Sequence, residues 1–265
     1  MRSRPAAAFL ALCIVLWPSC RRSGERADLT LAGSTSIQPF ADKWAEVFME
    51  AHPDYGVNVQ GGGSSAGIQA CKSGACQIGM SSRDLKGDEK DLVEIVVARD
   101  GLALIVHPSN HVRGAKLAEI KQIFAGDLRN WKLLGGLDRS ITVVTREEGS
   151  GTRGAFQELV MGKTRIFKGA ITEDSNGTVR EIVAHDPYAI GFISLGLVDG
   201  QVRALELDGA AATEENIENK RYKLVRPFLF VSQGEPEGHA KDFIDFVLSP
   251  EGQELVRKEG LLPVR

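Results

Sequence analysis

Three times along this chain an apolar, strand-like run gives way to a Gly/Ser/Thr turn and then to a segment with helical spacing. The turns are Ala32-Gly33-Ser34-Thr35-Ser36, Gly61-Gly62-Gly63-Ser64-Ser65-Ala66-Gly67 and Glu148-Gly149-Ser150-Gly151-Thr152-Arg153. Leu29-Thr30-Leu31-Ala32 leads into the first, the alternating run from Tyr55 to Gln60 into the second, and Ile141 to Val144 into the third. After the first turn, Phe40, Trp44, Val47 and Phe48 recur on one face of a helix ending near His52-Pro53. Ile68 and Cys71 mark a short helix after the second, and Ala155, Phe156, Leu159 and Val160 one after the third. This rhythm predicts an α/β fold with parallel strands whose ligands bind at the strands' carboxyl ends. A helix N-terminus exposes unpaired N–H groups and a partial positive charge. Glycine admits a ligand close to the backbone, and hydroxyls add donors beside it. One such turn is ordinary capping; three together predict a dry, donor-rich site for a small tetrahedral oxyanion.

The rest of the chain arranges itself around two long apolar crossings. Ile95 to Ala98 and Leu102 to Val106 are joined through Arg99-Asp100-Gly101, and Leu224 to Val231 forms the second crossing. Gln77 to Met80 reads as a further strand, Leu117 to Phe124 as a helix, Val179 to Ala184 as a helix, and Ala189 to Ile193 as a strand. Phe243, Ile244, Phe246 and Val247 mark a helix near the C-terminus. Ser249-Pro250 opens another that Gly260 ends. Thr213 to Arg221 is polar, acidic and loop-like, with short helical character. The crossings divide the chain into one lobe of residues 28–98 plus 227–265 and a second, inserted lobe of residues 103–224. The first lobe carries two of the glycine turns and the second carries one. A ligand held by all three lies between the lobes, so its binding is coupled to their closure.

Charge and targeting signals narrow the partners. The 265-residue chain carries a formal charge of −3 and has no basic, aromatic-bearing strip, which argues against nucleic acid. Arg2 and Arg4 precede a twelve-residue apolar stretch, Ala6 to Trp17, too short to span a bilayer. Residues 1–19 therefore read as a signal peptide. Trp17-Pro18-Ser19-Cys20 is similar to a bacterial lipobox, with Cys20 the lipidated mature N-terminus and residues 20–27 a tether. Trp17 and Pro18 both depart from the usual lipobox pattern. Loss of residues 1–19 removes two arginines, leaving 30 basic against 35 acidic residues and a charge of −5. An acidic protein that holds an anion does so with local dipoles rather than its overall field. Cys71 and Cys76, across Lys72-Ser73-Gly74-Ala75, are placed for a small disulfide loop in an oxidising compartment, the alternative being two semi-buried thiols. No His or further Cys stands near them in sequence, so no metal site is expected.

Several of these segments, in order, resemble the phosphate-binding protein of bacterial phosphate ABC transporters, a periplasmic-type solute-binding family. The landmarks are Ala32-Gly33-Ser34-Thr35, Gly63-Ser64-Ser65-Ala66-Gly67, Ile78-Gly79-Met80-Ser81-Ser82-Arg83, Ile123-Phe124-Ala125-Gly126 with Asn130-Trp131, Arg146 to Thr152, and Ala189-Ile190-Gly191-Phe192-Ile193-Ser194. The likeness extends over residues 29–265 and is to the shorter members of the family. It implies a two-lobed, type II-like periplasmic-binding-protein fold that takes no cofactor. It also implies a monomer that delivers inorganic phosphate to permease subunits in the inner membrane from the periplasmic face of the envelope.

By position, the resemblance places phosphate contacts on Thr35, Ser36, Ser64, Arg146, Ser150, Gly151 and Thr152, with Arg146 the charged donor. Longer members carry an aspartate where this chain has Ser82, an acceptor for the ligand's proton that repels sulfate. Ser82 accepts without charge, and Asp84 and Glu148 are the other candidate acceptors, each more readily read as a surface or salt-bridge residue. Arg83, next to Ser82, is a candidate for touching the ligand or for holding a carboxylate. Thr35 and Ser64 taken singly read as caps, and Arg146 alone as a partner of Glu147 or Glu148. The rival functions are a binding protein or sensor for sulfate or molybdate, and a secreted serine hydrolase. Against the hydrolase, Gly149-Ser150-Gly151 lacks the spacing of a nucleophile elbow, and the five histidines offer no assignable partner for Ser150. No catalytic residue is expected.

Overall fold

The computed structural model describes residues 27–264. The expected signal peptide (1–19), the lipidation site Cys20 and the tether up to residue 26 lie outside the described residues. The chain enters through β1 (Ala27–Gly33) and returns along α1 (Gln38–Ala51) to β2 (Tyr55–Gln60), which lies parallel to β1. A second such unit, α2 (Ser64–Lys72), delivers β3 (Ile78–Ser81) to the other side of β1, again parallel. Glycine makes this packing possible. A Cβ on Gly67 of α2 would strike the Ala32 carbonyl and the Gly33 Cα of β1.

Strand β4 (Val93–Val106) is 14 residues long and serves two neighbourhoods. Its first part pairs antiparallel with β11 (Val225–Ser232), which in turn pairs antiparallel with β3. Its second part, from Leu102, pairs with β8 (Ala189–Ser194) and β9 (Arg203–Ala204). Beyond β8 lie β6 (Thr142–Arg146) and β7 (Ile171–Glu173), both parallel additions. The resulting strand order is β2-β1-β3-β11-β4-β8-β6-β7. A separate pair, β5 (Gly114–Ala115) with β10 (Glu206–Leu207), closes one edge of the inserted region. Helices α3 (Leu117–Ala125), α4 (Gly151–Phe156), α5 (Asn176–His185) and the short α6 (Glu214–Glu218) belong to the inserted region, and α7 (Gly238–Leu248) and α8 (Pro250–Lys258) to the first.

Each half has one large apolar core and a smaller cluster beside it. In the first, the apolar face read from α1 packs on the sheet and on α7: Trp44 meets the Phe230 ring edge-on at 6.0 Å, and Phe48 meets Phe243 at 5.3 Å. In the second, Phe156 of α4 stacks on Phe192 of β8 at 4.1 Å, with Phe124 of α3 at 4.5 Å from Phe156. Truncating any of these aromatics to Ala costs about 3–5 kcal/mol by general experience of core cavities.

The disulfide expected between Cys71 and Cys76 is not formed: both are free, buried thiols. The last turn of α2 carries Cys71 into a small apolar cluster with Ile68, Leu229 and Val231, where its Sγ donates to the Val231 carbonyl at 3.3 Å. Cys76 packs into the same cluster as a small apolar residue. Burial pushes both thiols up, Cys76 to about 11, with Cys71 beside it adding to the rise.

Candidate functional site

The three glycine turns converge. Each arrives at the carboxyl end of its strand, where the pleat ends and the chain turns into a helix. In the first turn the capping is done by Ser34. Its hydroxyl accepts the N–H groups of Ser36 at 3.2 Å and Ile37 at 3.4 Å, and then donates to Ser82 Oγ at 2.9 Å. That division of labour leaves Thr35 and Ser36 free of capping. Thr35 Oγ1 accepts from Arg146 Nη2 at 3.1 Å, a bond between the lobes. Ser36 Oγ stands 2.6 Å from Thr152 Oγ1 and accepts from Asn176 Nδ2 at 2.9 Å, two more such bonds.

In the second turn, Gly63 holds φ +89 just before α2, a conformation that an L side chain rarely adopts, and its Cβ would stand 3.1 Å from the Gly149 carbonyl of the third turn. The Ser65 N–H donates to that same carbonyl at 3.1 Å. Ser64 is fully buried, and its hydroxyl accepts the Ser82 N–H at 3.1 Å. Ser82, also fully buried, therefore sits between Ser34 and Ser64.

The third turn closes over this group from the other lobe. Ser150 caps α4, its hydroxyl accepting the Arg153 N–H at 3.2 Å. Gly151 follows, so close that a Cβ there would overlap Ser64 Oγ and lie 2.5 Å from Ser82 Oγ. Thr152 Oγ1 accepts from Arg226 Nη1 at 2.8 Å.

Arg146, the last residue of β6, is 1% exposed. Glu147 holds it from one side through Nε (3.0 Å) and Nη2 (3.1 Å), and the Glu173 and Asp174 carbonyls accept further bonds. Its Nη1 is buried and has no hydrogen-bond partner among the described residues. Burial lowers this guanidinium's pKa, and Glu147 opposes the shift. An oriented, desolvated cation with one donor unspent is what an anion site requires, because a buried unmet donor costs about 1–3 kcal/mol until an acceptor arrives. Both readings of Arg146 thus apply: it pairs with Glu147 and still has a donor to give.

Of the residues named from the sequence, Thr35, Ser36, Ser64, Ser82, Arg146, Ser150, Gly151 and Thr152 come together. Arg83 does not join them. Its guanidinium forks onto Glu89 at 2.7 and 2.9 Å, and its stem packs beneath Gly154 of α4. Of the two roles open to Arg83 in the sequence, ligand contact is corrected and holding a carboxylate is what its guanidinium does. Asp84 is exposed and the Glu148 side chain is 94% exposed, so neither candidate carboxylate faces the group. The carboxylate that does stand at the group is Glu147, bonded to Arg146 and 3.3 Å from where a Gly63 Cβ would lie; the other side-chain acceptors there are hydroxyls.

Four participants went unread in the sequence: Asp100, Arg226, Asn176 and Ser194. Asp100 on β4 and Arg226 on β11 stand opposite each other in register where the two crossings run side by side. Arg226 Nε donates to Asp100 Oδ2 at 2.9 Å, with Nη2 2.8 Å from the same oxygen, and Ser194 donates to Oδ1 at 2.8 Å. Burial pushes the Asp100 carboxyl up, while Arg226, Ser194 and the Leu195 N–H draw it back. The signal was partly present: the second apolar crossing is interrupted by a single charge, Arg226, and the first by the adjacent pair Arg99-Asp100, of which the acidic member faces it.

Comparison with known proteins places this geometry. A family model described as a PBP superfamily domain matches residues 21–251. The phosphate-binding protein PstS of Bacillus subtilis (strain 168) is 39% identical over 242 residues, covering 89% of this chain and 80% of the relative. A putative phosphate ABC transporter substrate-binding protein from Clostridium perfringens, solved with bound phosphate, is 45% identical. It superposes with a TM-score of 0.87, over 90% of this chain and 100% of that one. An ABC-type phosphate transport receptor from Vibrio cholerae is 37% identical with a TM-score of 0.75, over 88% and 99% of the two chains.

Proposed function

Because the chain belongs to the PBP superfamily and, within it, to the phosphate-binding proteins, we propose that it captures inorganic phosphate outside the cytoplasm and hands it to the permease subunits of an ABC importer. The observation that carries this reading is the convergence, from both lobes, of Thr35, Ser36, Ser64, Ser82, Ser150, Gly151 and Thr152, with the buried Arg146 bonded to Thr35 through Nη2 and its Nη1 unspent. Arg146 supplies the charge. The hydroxyls and the first-turn N–H groups of Gly151 and Thr152 supply donors to the oxygens. The lobes are residues 28–98 plus 227–265 and residues 103–224, and the anion enters while they are apart and is enclosed when they meet. Residues 1–19 are removed on export and Cys20 carries the lipid that holds a monomer at the periplasmic face. The protein works by binding and not by turnover.

Isothermal titration with inorganic phosphate tests this. The reading requires 1:1 binding at micromolar concentration or tighter, and its loss in Arg146→Met. No heat at micromolar protein would end it. The uncharged Ser82 and the outward placement of Asp84 and Glu148 favour one second reading, a binder of oxyanions in general. Competition with sulfate and molybdate between pH 5 and 8 separates the two. A phosphate-specific site excludes both throughout, and a general one admits sulfate within about tenfold of phosphate.

A further inference from the structure

The hydrogen bonds between Asp100, Arg226 and the site form a closed ring of six residues. Arg226 donates to Thr152; Thr152 and Ser36 share a bond; Asn176 Nδ2 donates to Ser36; Asn176 Oδ1 accepts the Ser194 N–H; Ser194 donates to Asp100; and Asp100 accepts from Arg226. All six residues are buried, none more than 3% exposed. Arg226 and Asp100 stand on the crossing strands, Thr152, Asn176 and Ser194 on the inserted lobe, and Ser36 on the first lobe. Arg226 Nη1 also reaches the Ser82 carbonyl of the first lobe at 3.3 Å.

Donor and acceptor capacity fixes the direction of most of these bonds. A guanidinium only donates, and a carboxylate only accepts. The Ser194 N–H can only donate, which turns the Asn176 oxygen toward it and the Asn176 amide nitrogen toward Ser36. Thr152 and Ser36 thus each receive one fixed donor. Between them they own two hydroxyl hydrogens, and their shared 2.6 Å bond uses one. Whichever hydroxyl spends its hydrogen in that bond, the other hydrogen has no acceptor within the ring.

We propose that Arg226 and Asp100 are positioning residues for the bound anion: by holding the Thr152–Ser36 hydroxyl pair in this orientation they reserve one hydroxyl hydrogen for an anion oxygen, and they tie that donor to the strands about which the lobes close. The proposal rests on the reading of the site as an oxyanion site. The ring is complete only when the lobes are together, since the two bonds to Ser36 cross between them. Anion capture and closure are therefore one event for the Thr152–Ser36 pair. The buried ion pair has a further support in the Phe228 ring, over which the Arg226 guanidinium lies at 5.3 Å. Removing one partner strands a buried charge, so the pair has to be replaced together.

A double-mutant cycle on the full chain, read by titration with inorganic phosphate, tests this. Thr152→Val removes the hydroxyl at nearly constant shape, and Asp100→Asn with Arg226→Met removes the pair without leaving a charge. Each is expected to weaken binding about tenfold, the order of one lost hydrogen bond to an anion. Combined, they are expected to weaken it no more than Thr152→Val alone, because Arg226 acts through Thr152. Additive losses, about a hundredfold together, would overturn the proposal, as would wild-type affinity in the Asp100→Asn, Arg226→Met protein. Should that protein fail to fold, Arg226→Lys keeps a cation beside Asp100 but replaces the rigid fork that spans Asp100 and Thr152 from separate nitrogens with a single flexible ammonium. A several-fold loss that vanishes in the Thr152→Val background supports the proposal, and a loss that persists there refutes it. If the wild-type protein binds sulfate or molybdate in place of phosphate, the phosphate reading fails and the same cycle with that anion decides this one. Binding none of the three overturns both.

Discussion

Replacing Gly151 with Ala separates closure from folding. Gly151 is the first residue of α4 and its φ is not in the left-handed region, so an Ala there strains no backbone. Ala is, if anything, the better helix former, by up to about 1 kcal/mol in a helix interior. With the lobes apart the substitution is therefore neutral or slightly stabilising. With the lobes together, the new methyl overlaps Ser64 Oγ and lies 2.5 Å from Ser82 Oγ. Neither hydroxyl can swing aside cheaply. Ser64 Oγ holds the Ser82 N–H, and Ser82 Oγ holds the Ser34 hydroxyl. Moving either forfeits a buried hydrogen bond, about 1 kcal/mol, and general overpacking reaches about 3 kcal/mol. At about 1.4 kcal/mol per factor of ten, phosphate affinity falls roughly 5- to 150-fold. Calorimetric titration reads the affinity, and a thermal melt in phosphate-free buffer reads the fold. The expected pairing is weakened binding with an unshifted melt. Unchanged affinity would refute the claim that the third turn docks on Ser64 and Ser82 when the anion is held. A melt lowered by several degrees without phosphate would show that the contact belongs to the fold itself.

Two further outcomes follow from individual side chains. Arg83 holds the Glu89 carboxyl below the usual range, so its contribution to stability is present above about pH 4.3, where the unfolded chain's Glu ionises, and is lost as pH falls through the lower, native value. Glu89→Gln should therefore destabilise in a urea melt at pH 7, by an amount that shrinks as pH is lowered into the acid range, and a loss of equal size throughout would refute the pairing. Burial raises the Cys71 and Cys76 thiols, the latter to about 11, so iodoacetamide at pH 8 should label both only after unfolding. Rapid native labelling, or a peptide linking the two sulfurs, would contradict the packed-thiol structure.

What the sequence could disclose depended on whether the signal was local. The apolar faces of α1 and α7, the alternation of β2 and the glycine turns are written in neighbouring residues, and all are where their spacing places them. So are the hydroxyls of the site, because each sits in a turn whose form the glycines dictate. Pairing between distant segments was not local. The opposition of Asp100 and Arg226, 126 positions apart, is a matter of register between two crossing strands, which periodicity does not encode. Arg83 was ambiguous in part for the same reason: its partner, Glu89, is only six residues away, but its bed under Gly154 is set by how distant α4 approaches. The cysteine spacing suited a disulfide loop as well as two packed thiols, and the apolar cluster that decides between them draws on Leu229 and Val231, far along the chain.

The place of β11 in the sheet bears on how the polypeptide assembles. It is wedged between β3 and β4 but is made from residues 225–232, after the whole inserted lobe. Until it arrives, β3 and the first part of β4 each present a bare row of peptide groups, and the apolar floor beneath Trp44 lacks Phe230 and Phe243. The amino-terminal half of this molecule therefore cannot ripen ahead of the rest. Its sheet is finished by the tail, and partners separated by some 150 residues must meet before either lobe is whole, a topology of the slow-folding, late-committing kind.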